Sequence, residues 1–343
     1  MAWKLHRENV PSLLRERLDK GHYSNAQHPF LESRFVQPLM EIFPHGREYL
    51  AEYEHNGQIV CAFVMSEYSK FTAASYVDGV CQISLTYIDP QLSASELERI
   101  VSSLFSALPK FYLAINFELQ DPDLTDISKF QAINNAAVNV CAQNTSIPAG
   151  VEFAEYWGDR PKKVRKDLER RLRILEREGI QVDYKMHHEP ETLEACFKEY
   201  CRLEGSGWKG EEGTALTETN EQGRFYKQVM ANFMQSGRGV FHELLFNNEV
   251  VASLIAIEND EMIIVMKTTY DDELSIHSPG RLIDYFMLRH VLTVNNKKNI
   301  ENYTNASAQD QKWFPRVREM YDVTVYRSAF VKQAAKLKQQ LHG

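Results

Sequence analysis

With 343 residues, 43% of them hydrophobic and 25% charged, the chain is long enough for two ordinary domains and too apolar to stay disordered. The opening MAWKLHRENVPSLLRERLDKG has no uncharged apolar stretch and no later run approaches eighteen apolar residues, so neither a signal peptide nor a membrane span is expected and a cytoplasmic location follows. A formal net charge of −8 argues against a surface given over to DNA, and five cysteines, odd in number and lacking a CxxC pair, read as reduced core residues rather than a zinc knuckle or a disulfide framework.

A helix is expected around residues 9 to 20, then the turn-rich HYSNAQHPF, then an apolar-periodic segment from Leu31 to Phe43. REYLAEYEH and QIVCAFVMS flank Asn56-Gly57, the dipeptide that best supplies the positive φ angles of a type I′ hairpin turn. Strands near 72 to 78 and 81 to 88 lead to a helix opened by Ser93, with Glu96 at capping-box spacing and an apolar stripe of Leu97, Ile100, Val101 and Leu104. A strand in FYLAINFEL, a helix from about Asp126 and a strand near Gly150 to Ala154 close the first half.

The second half opens with an amphipathic helix from Pro161 to Glu178, apolar along Val164, Leu168, Leu172 and Leu175 and stopped by Gly179. Strand GIQVDYKM, helix PETLEACFKEYCRLE, a polar loop and a helix from about Glu221 to Gln235 follow. GVFHELLF and VVASLIAIE then flank Asn247 and Asn248, which tolerate a left-handed turn, and DEMIIVMKTT gives the next strand. A helix over 279 to 294, a short strand at Ile300 to Tyr303, a helix around Lys312 to Arg318 and strand DVTVYRSAF complete the series. Hairpin, strand, helix, strand, helix, strand thus occurs twice, offset by about 190 residues. The expectation is a duplicated α/β (α+β) fold with mixed sheets, divided into residues 1–155 and 156–343.

Two segments carry the candidate chemistry. In MKTTYDDELSIHSPGRLIDYFMLRHVL, Ser278-Pro279-Gly280-Arg281 opens a helix with Ser at the N-cap and Pro at the first helical position. Such a start presents unpaired N–H groups, Gly280 permits close approach, and Arg281 adds a cation, which together suit a pyrophosphate. The equivalent helix of the first half begins SASELER, with acid in that place. In CRLEGSGWKGEEGTAL, four glycines around Trp208 and Lys209 make a loop able to wrap a ligand, with Glu204 as a base or amine anchor; a flexible connection packed on Trp208 is the structural alternative. Lys162, Lys166, Arg170, Arg173 and Arg177 line one side of the helix before them and read as a solvated face, with phosphate or RNA contact as the other reading. No histidine or carboxylate cluster has metal-ligand spacing, so no metal is expected, and neither a GxSxG elbow nor a Walker loop occurs.

HPFLESRF (28–35), RKDLERRLRILEREG (165–179), EGSGWKGEEGTAL (204–216), KTTYDDELSIHSPGRLIDYFMLR (267–289) and NASAQDQKWF (305–314) together resemble the BioF2-like/CelD group of acyltransferases, a branch of the GNAT superfamily allied to the Fem peptidyltransferases. The resemblance implies tandem GNAT domains and N-acyl transfer from acetyl-CoA or another acyl-CoA, used as co-substrate, to an amine. The acceptor would be a small molecule or a sugar or lipid intermediate of envelope or exopolysaccharide synthesis. SPGR stands where the group's Gln- or Arg-led glycine loop would be, and Gln311-Lys312 where relatives tend to have Tyr-Lys, with Lys312 a substrate-binding candidate beside Trp208 and Lys209. In such a reaction the amine attacks the thioester directly. Backbone N–H groups of Lys267, Thr268 and Thr269 would polarise the carbonyl, and Ser278, Gly280 and Arg281 would hold the pyrophosphate. Glu204, then Asp271 and His242, would serve the amine, and Tyr270 or Tyr303 would protonate the thiolate. A Fem-like transferase using aminoacyl-tRNA, or a non-catalytic protein of the same fold, are the rival expectations.

Overall fold

The computed structural model describes residues 2–23, 28–67, 69–108, 111–207, 210, 212–294 and 298–342. By contact the chain forms two compact units, Met1–Gln143 with Arg318–Gly343, and Asn144–Val317. A single border after residue 155 does not anticipate that the last 26 residues return to the first unit.

The first unit contains β1 (Ala2–His6), α1 (Val10–Asp19), α2 (Ser33–Ile42), β2 (Tyr49–His55), β3 (Gln58–Ser66), β4 (Thr72–Ser75), β5 (Thr86–Ile88), α3 (Ala94–Ala107), β6 (Ala114–Gln120), α4 (Ile127–Gln131) and most of β7 (Ala136–Ile147). The second contains α5 (Phe153–Asp159), α6 (Lys162–Arg177), β8 (Val182–His187), α7 (Leu193–Ser206), α8 (Glu221–Met234), β9 (Gly239–Phe246), β10 (Glu249–Glu258), β11 (Met262–Tyr270), α9 (Pro279–Val294) and β12 (Asn299–Asn302). Strand β13 (Arg316–Tyr326) and helix α10 (Ala329–His342) end the chain.

Local chemistry explains the best-defined pieces. Asn56 and Gly57 both have positive φ, as do Asn247 and Asn248, so each hairpin closes through residues that tolerate the left-handed region. Ser93 and Glu96 form a reciprocal capping box at the start of α3. Gly179 adopts φ 70° just past α6, as a C′ glycine does.

In the first unit the strands run β1-β2-β3-β4-β6-β13, with β5 beside β3. In the second they run β8-β9-β10-β11-β12, and Thr145–Ile147 of β7 lie beside β12. The same plan therefore occurs twice: an antiparallel hairpin, a third strand, a helix, a fourth strand parallel to the third (β4 with β6, β11 with β12), and a fifth antiparallel to the fourth (β13 or β7). This is the duplicated mixed-sheet α/β architecture the sequence predicts. In the first core Phe63, Met65 and Phe117 pack on Leu97, Val101 and Leu104 of α3. In the second, Leu254, Ala256 and Val265 pack on Leu282, Ile283 and Met287 of α9.

Two stretches and two of the cysteines differ from expectation. The strand expected near 150 to 154 is instead the long β7 at 136–147 followed by helix α5, because Phe153 stacks on Trp157 at 6.1 Å and meets Tyr285 at 5.8 Å, as one turn of helix allows. The helix expected around 312 to 318 is a single 3₁₀ turn, Asp310–Lys312, and β13 begins at Arg316. Cys141 is exposed and Cys201 only partly buried, whereas Cys61, Cys81 and Cys196 are core residues.

Candidate functional site

Strand β11 pairs with β12 only over Met262–Ile264, yet continues to Tyr270 along β10. Beyond Ile264 this pairing ends, and among the described residues no strand covers that edge of β11. Such an edge offers backbone N–H and C=O groups to an extended ligand. The register of β11 on β10 shifts at Met266, a bulge directly before Lys267.

The bulge and pleat decide which side chains meet. His242, Leu254 and Thr268 share one row across β9, β10 and β11, as do Glu243, Ser253 and Thr269. The first row faces α9: His242 lies 2.6 Å from the Tyr184 hydroxyl, and the Tyr184 ring stacks on Phe286 of α9. Lys267 lies on the other face, where its ammonium is 3.4 Å from Glu204 Oε1 at the end of α7 and 5.3 Å from the centroid of Tyr226 of α8. Glu204 is buried, and its Oε2 accepts the Leu216 N–H at 2.7 Å. The neighbouring Tyr200 hydroxyl is fully buried with no hydrogen-bond partner among the described residues, and its pKa is driven up by burial first and then by Glu204 and Tyr226. Glu204 and His242 therefore occupy opposite faces of the sheet. Burial also holds His242 neutral, lowering its pKa to about 3.

The end of β11 leads to the start of α9. Tyr270 lays its ring on Gly280, so that a Cβ there would sit 2.7 Å from Tyr270 Cδ1. Ser278 adopts a left-handed conformation, and its hydroxyl donates to the Ser275 carbonyl rather than capping the helix. The Arg281 and Leu282 amides donate to the Ser278 carbonyl at 3.0 and 3.1 Å. Arg281 pairs with Asp284 at 3.2 Å and Asp310 at 3.7 Å. Burial pushes the Asp284 carboxyl up to about 6, opposed by Arg281 and reinforced by Asp310. Asp271 caps the short 3₁₀ turn Asp272–His277 by accepting the Glu273 N–H. Arg171 of α6 donates to the Ile276 carbonyl in that turn at 2.6 Å. Gly207, at the end of α7, abuts the Asp272 carboxylate. In the first unit the equivalent helix start is closed by its own capping box, with the Ser93 N–H donating to Glu96 at 2.8 Å.

Of the remaining expected site residues, Tyr303 is buried just beyond β12, and Lys312 donates from Nζ to Gln309 while its carbonyl accepts from Arg160. Trp208 and Lys209 lie outside the described residues. The structure thus brings Glu204 to Lys267 and gathers Tyr270, Gly280 and Arg281 at one helix start, but holds His242 apart. Tyr200, Tyr226, Asp284 and Asp310 enter the site without being legible in the sequence. No local motif marks them, and only the partners that folding brings up do so.

A parallel pair that ends at Ile264, with β11 running on to Tyr270 and a helix starting just beyond it, is a fold of the GNAT type. Residues 162–294, within the second unit, match the family model described as the acetyltransferase (GNAT) domain. Over almost its full length the chain is similar in fold to the C-terminal domain (DUF2156) of a putative lysylphosphatidylglycerol synthetase from Agrobacterium fabrum (10% identity, 97% of this chain and 96% of that one, TM-score 0.58). It is likewise similar to L-PGS from Bacillus licheniformis (13%, 96% of each chain, TM-score 0.55) and to FemX (8%, 97% and 99%, TM-score 0.56). No curated protein matches the chain in sequence. Among the described residues no helix is long and apolar enough to cross a membrane.

Proposed function

We propose that the second unit transfers an acyl group from a carrier thioester, acetyl-CoA or another acyl-CoA, to the amine of a sugar, lipid or amino-acid acceptor. The observation that carries this reading is the uncovered edge of β11 from Val265 to Tyr270, long enough for the extended arm of a carrier to lie along it as an added strand. Of Lys267, Thr268 and Thr269, the amide of Thr268 is the one turned away from β10, because Asp271 donates to the Val251 carbonyl and alternate residues of β11 follow it; that amide polarises the thioester carbonyl. Glu204, which accepts the Leu216 N–H and lies 3.4 Å from the Lys267 ammonium, takes the proton that the amine loses as the C–N bond forms and the C–S bond breaks. Tyr270 or Tyr303 returns a proton to the thiolate. The reaction proceeds in the cytoplasm, on an intermediate of envelope or exopolysaccharide synthesis.

Calorimetry with acetyl-CoA tests the donor: wild type binds, and Gly280→Glu combined with Arg281→Ala does not. Equal binding by both removes the phosphate role of that helix start. Glu204→Gln is expected to lower kcat at least a hundredfold with donor affinity unchanged; undiminished turnover would exclude Glu204 as the base.

A specific observation favours a second reading, an aminoacyl-tRNA donor. Arg281 is already engaged by Asp284 and Asp310, and Asp271, Asp272 and Glu273 crowd the preceding turn, an acidic setting for a diphosphate. Lys162, Lys166, Arg170, Arg173 and Arg177 are exposed along α6 and suit a phosphate backbone. The full-length likeness to FemX and to a putative lysylphosphatidylglycerol synthetase domain supports it. A low-salt mobility shift with tRNA whose affinity falls steeply with salt, beside calorimetry blank for acetyl-CoA, would select this donor.

A further inference from the structure

Away from the groove, on the α7 face of the second sheet, three side chains of different chemistry converge. His187 ends β8, Glu243 lies on β9, and Cys196 is in the first turn of α7, with 8 and 46 residues between successive members. His187 Nε2 is 3.1 Å from Glu243 Oε2, and one donor atom from each of the three lies within 4.8 Å of the other two. We propose that His187, Cys196 and Glu243 are the protein ligands of a divalent transition-metal ion of the zinc type.

The donor set fits that ion. Imidazole nitrogen, thiolate sulfur and carboxylate oxygen are its three usual protein donors, and tetrahedral binding at about 2.0 to 2.3 Å sets neighbouring donor atoms roughly 3.4 Å apart. Small side-chain rotations therefore close the site. Charge fits as well: one carboxylate and one thiolate neutralise a dication, with the imidazole neutral. Glu243 is buried, and although Lys185 is its cross-strand neighbour, among the described residues no lysine or arginine makes an ion pair with it; its side-chain partners are His187 and the Cys196 thiol. A buried carboxylate in that position gains most from a cation. Two paired strands and a helix hold the ligands, a more rigid frame than a loop. His187 is a quarter exposed and Cys196 and Glu243 are buried, which leaves one open side for entry of the ion and for a water as fourth ligand.

The site lies apart from the proposed transfer chemistry. Cys196 precedes Glu204 by eight residues on α7, about 12 Å along the helix axis. A metal there would tie α7 to β8 and β9 and hold it in place, without touching the acyl group. The inference does not depend on which donor the enzyme uses.

The test uses the full chain, stripped with a chelator, dialysed, and titrated with Co²⁺ followed by absorbance and with Zn²⁺ in competition with a chromophoric indicator. Wild type should bind one equivalent, and the Co²⁺ form should show a near-ultraviolet sulfur-to-cobalt charge-transfer band. Cys196→Ser should abolish the band, and Glu243→Gln and His187→Gln should each weaken Zn²⁺ binding at least tenfold. Circular dichroism of the metal-free variants reports whether they fold, and the partly exposed His187→Gln keeps the test open if the buried substitutions do not. Absence of binding by wild type, or binding and a charge-transfer band unchanged in Cys196→Ser and His187→Gln, would overturn the proposal.

Discussion

At the scale of single residues, the second unit concentrates charge where water is scarce. Asp284 is buried beside Arg281, with its carboxyl pushed up to about 6, so between the ordinary aspartate value near 4 and pH 6 the folded protein holds a proton that the unfolded chain has released. The sign follows: this group's contribution is most favourable below about pH 4 and falls as pH rises toward 6, by up to about 3 kcal/mol, then stays constant. In urea denaturation series from pH 4 to 7, wild type should lose stability relative to Asp284→Asn across that window; parallel curves would show that the carboxyl titrates normally. Glu204 was legible in the sequence as an acid ending a helix before a glycine-rich loop. Its partner was not, because Lys267 lies 63 residues further on and reaches it only through the bulge at Met266.

Among elements, helix starts were the most legible features, since a cap and a first-turn glycine are local. Asn220 caps α8, accepting the Gly223 N–H at 2.8 Å. A Cβ on Gly223 would run into the Thr217 carbonyl and come to 3.0 Å from Asn220 Oδ1. Alanine improves intrinsic helix propensity over glycine by about 1 kcal/mol, but pushing backbone aside costs about 1 to 3 kcal/mol. Gly223→Ala should therefore lower the urea midpoint, and a rise would mean that the loop yields freely. Ser278-Pro279-Gly280-Arg281 was legible in the same way as a helix start. Its electrostatic setting was not, because Asp310 is supplied by a 3₁₀ turn about 30 residues away in sequence and the Tyr270 ring is laid on Gly280 by the preceding strand.

For the whole molecule, the repeat is complete only when each unit's fifth strand is counted, and that strand comes from outside the repeat. In the first unit it is β13, which pairs with β6 and places Val323 and Val325 in the core. Arg318, at the start of the returning segment, is buried between Asp121 at 2.8 Å and Asp123 at 2.9 Å. Removing such a partner leaves buried charge uncompensated, at about 3 to 5 kcal/mol. A fragment of residues 1–155 should therefore fail to fold by circular dichroism and recover when the peptide 318–343 is added; a cooperative melt of the fragment alone would contradict this. The sequence by itself determined the hairpins, the capped helices and the twofold order of elements, because turn residues, caps and apolar periodicity act over a few positions. Only the tertiary structure decided where the pairing of β11 with β12 ends, which charges meet at the start of α9, and that the chain's end completes its beginning. These are contacts between residues far apart in sequence, and their energies depend on burial and on partners that no local pattern specifies.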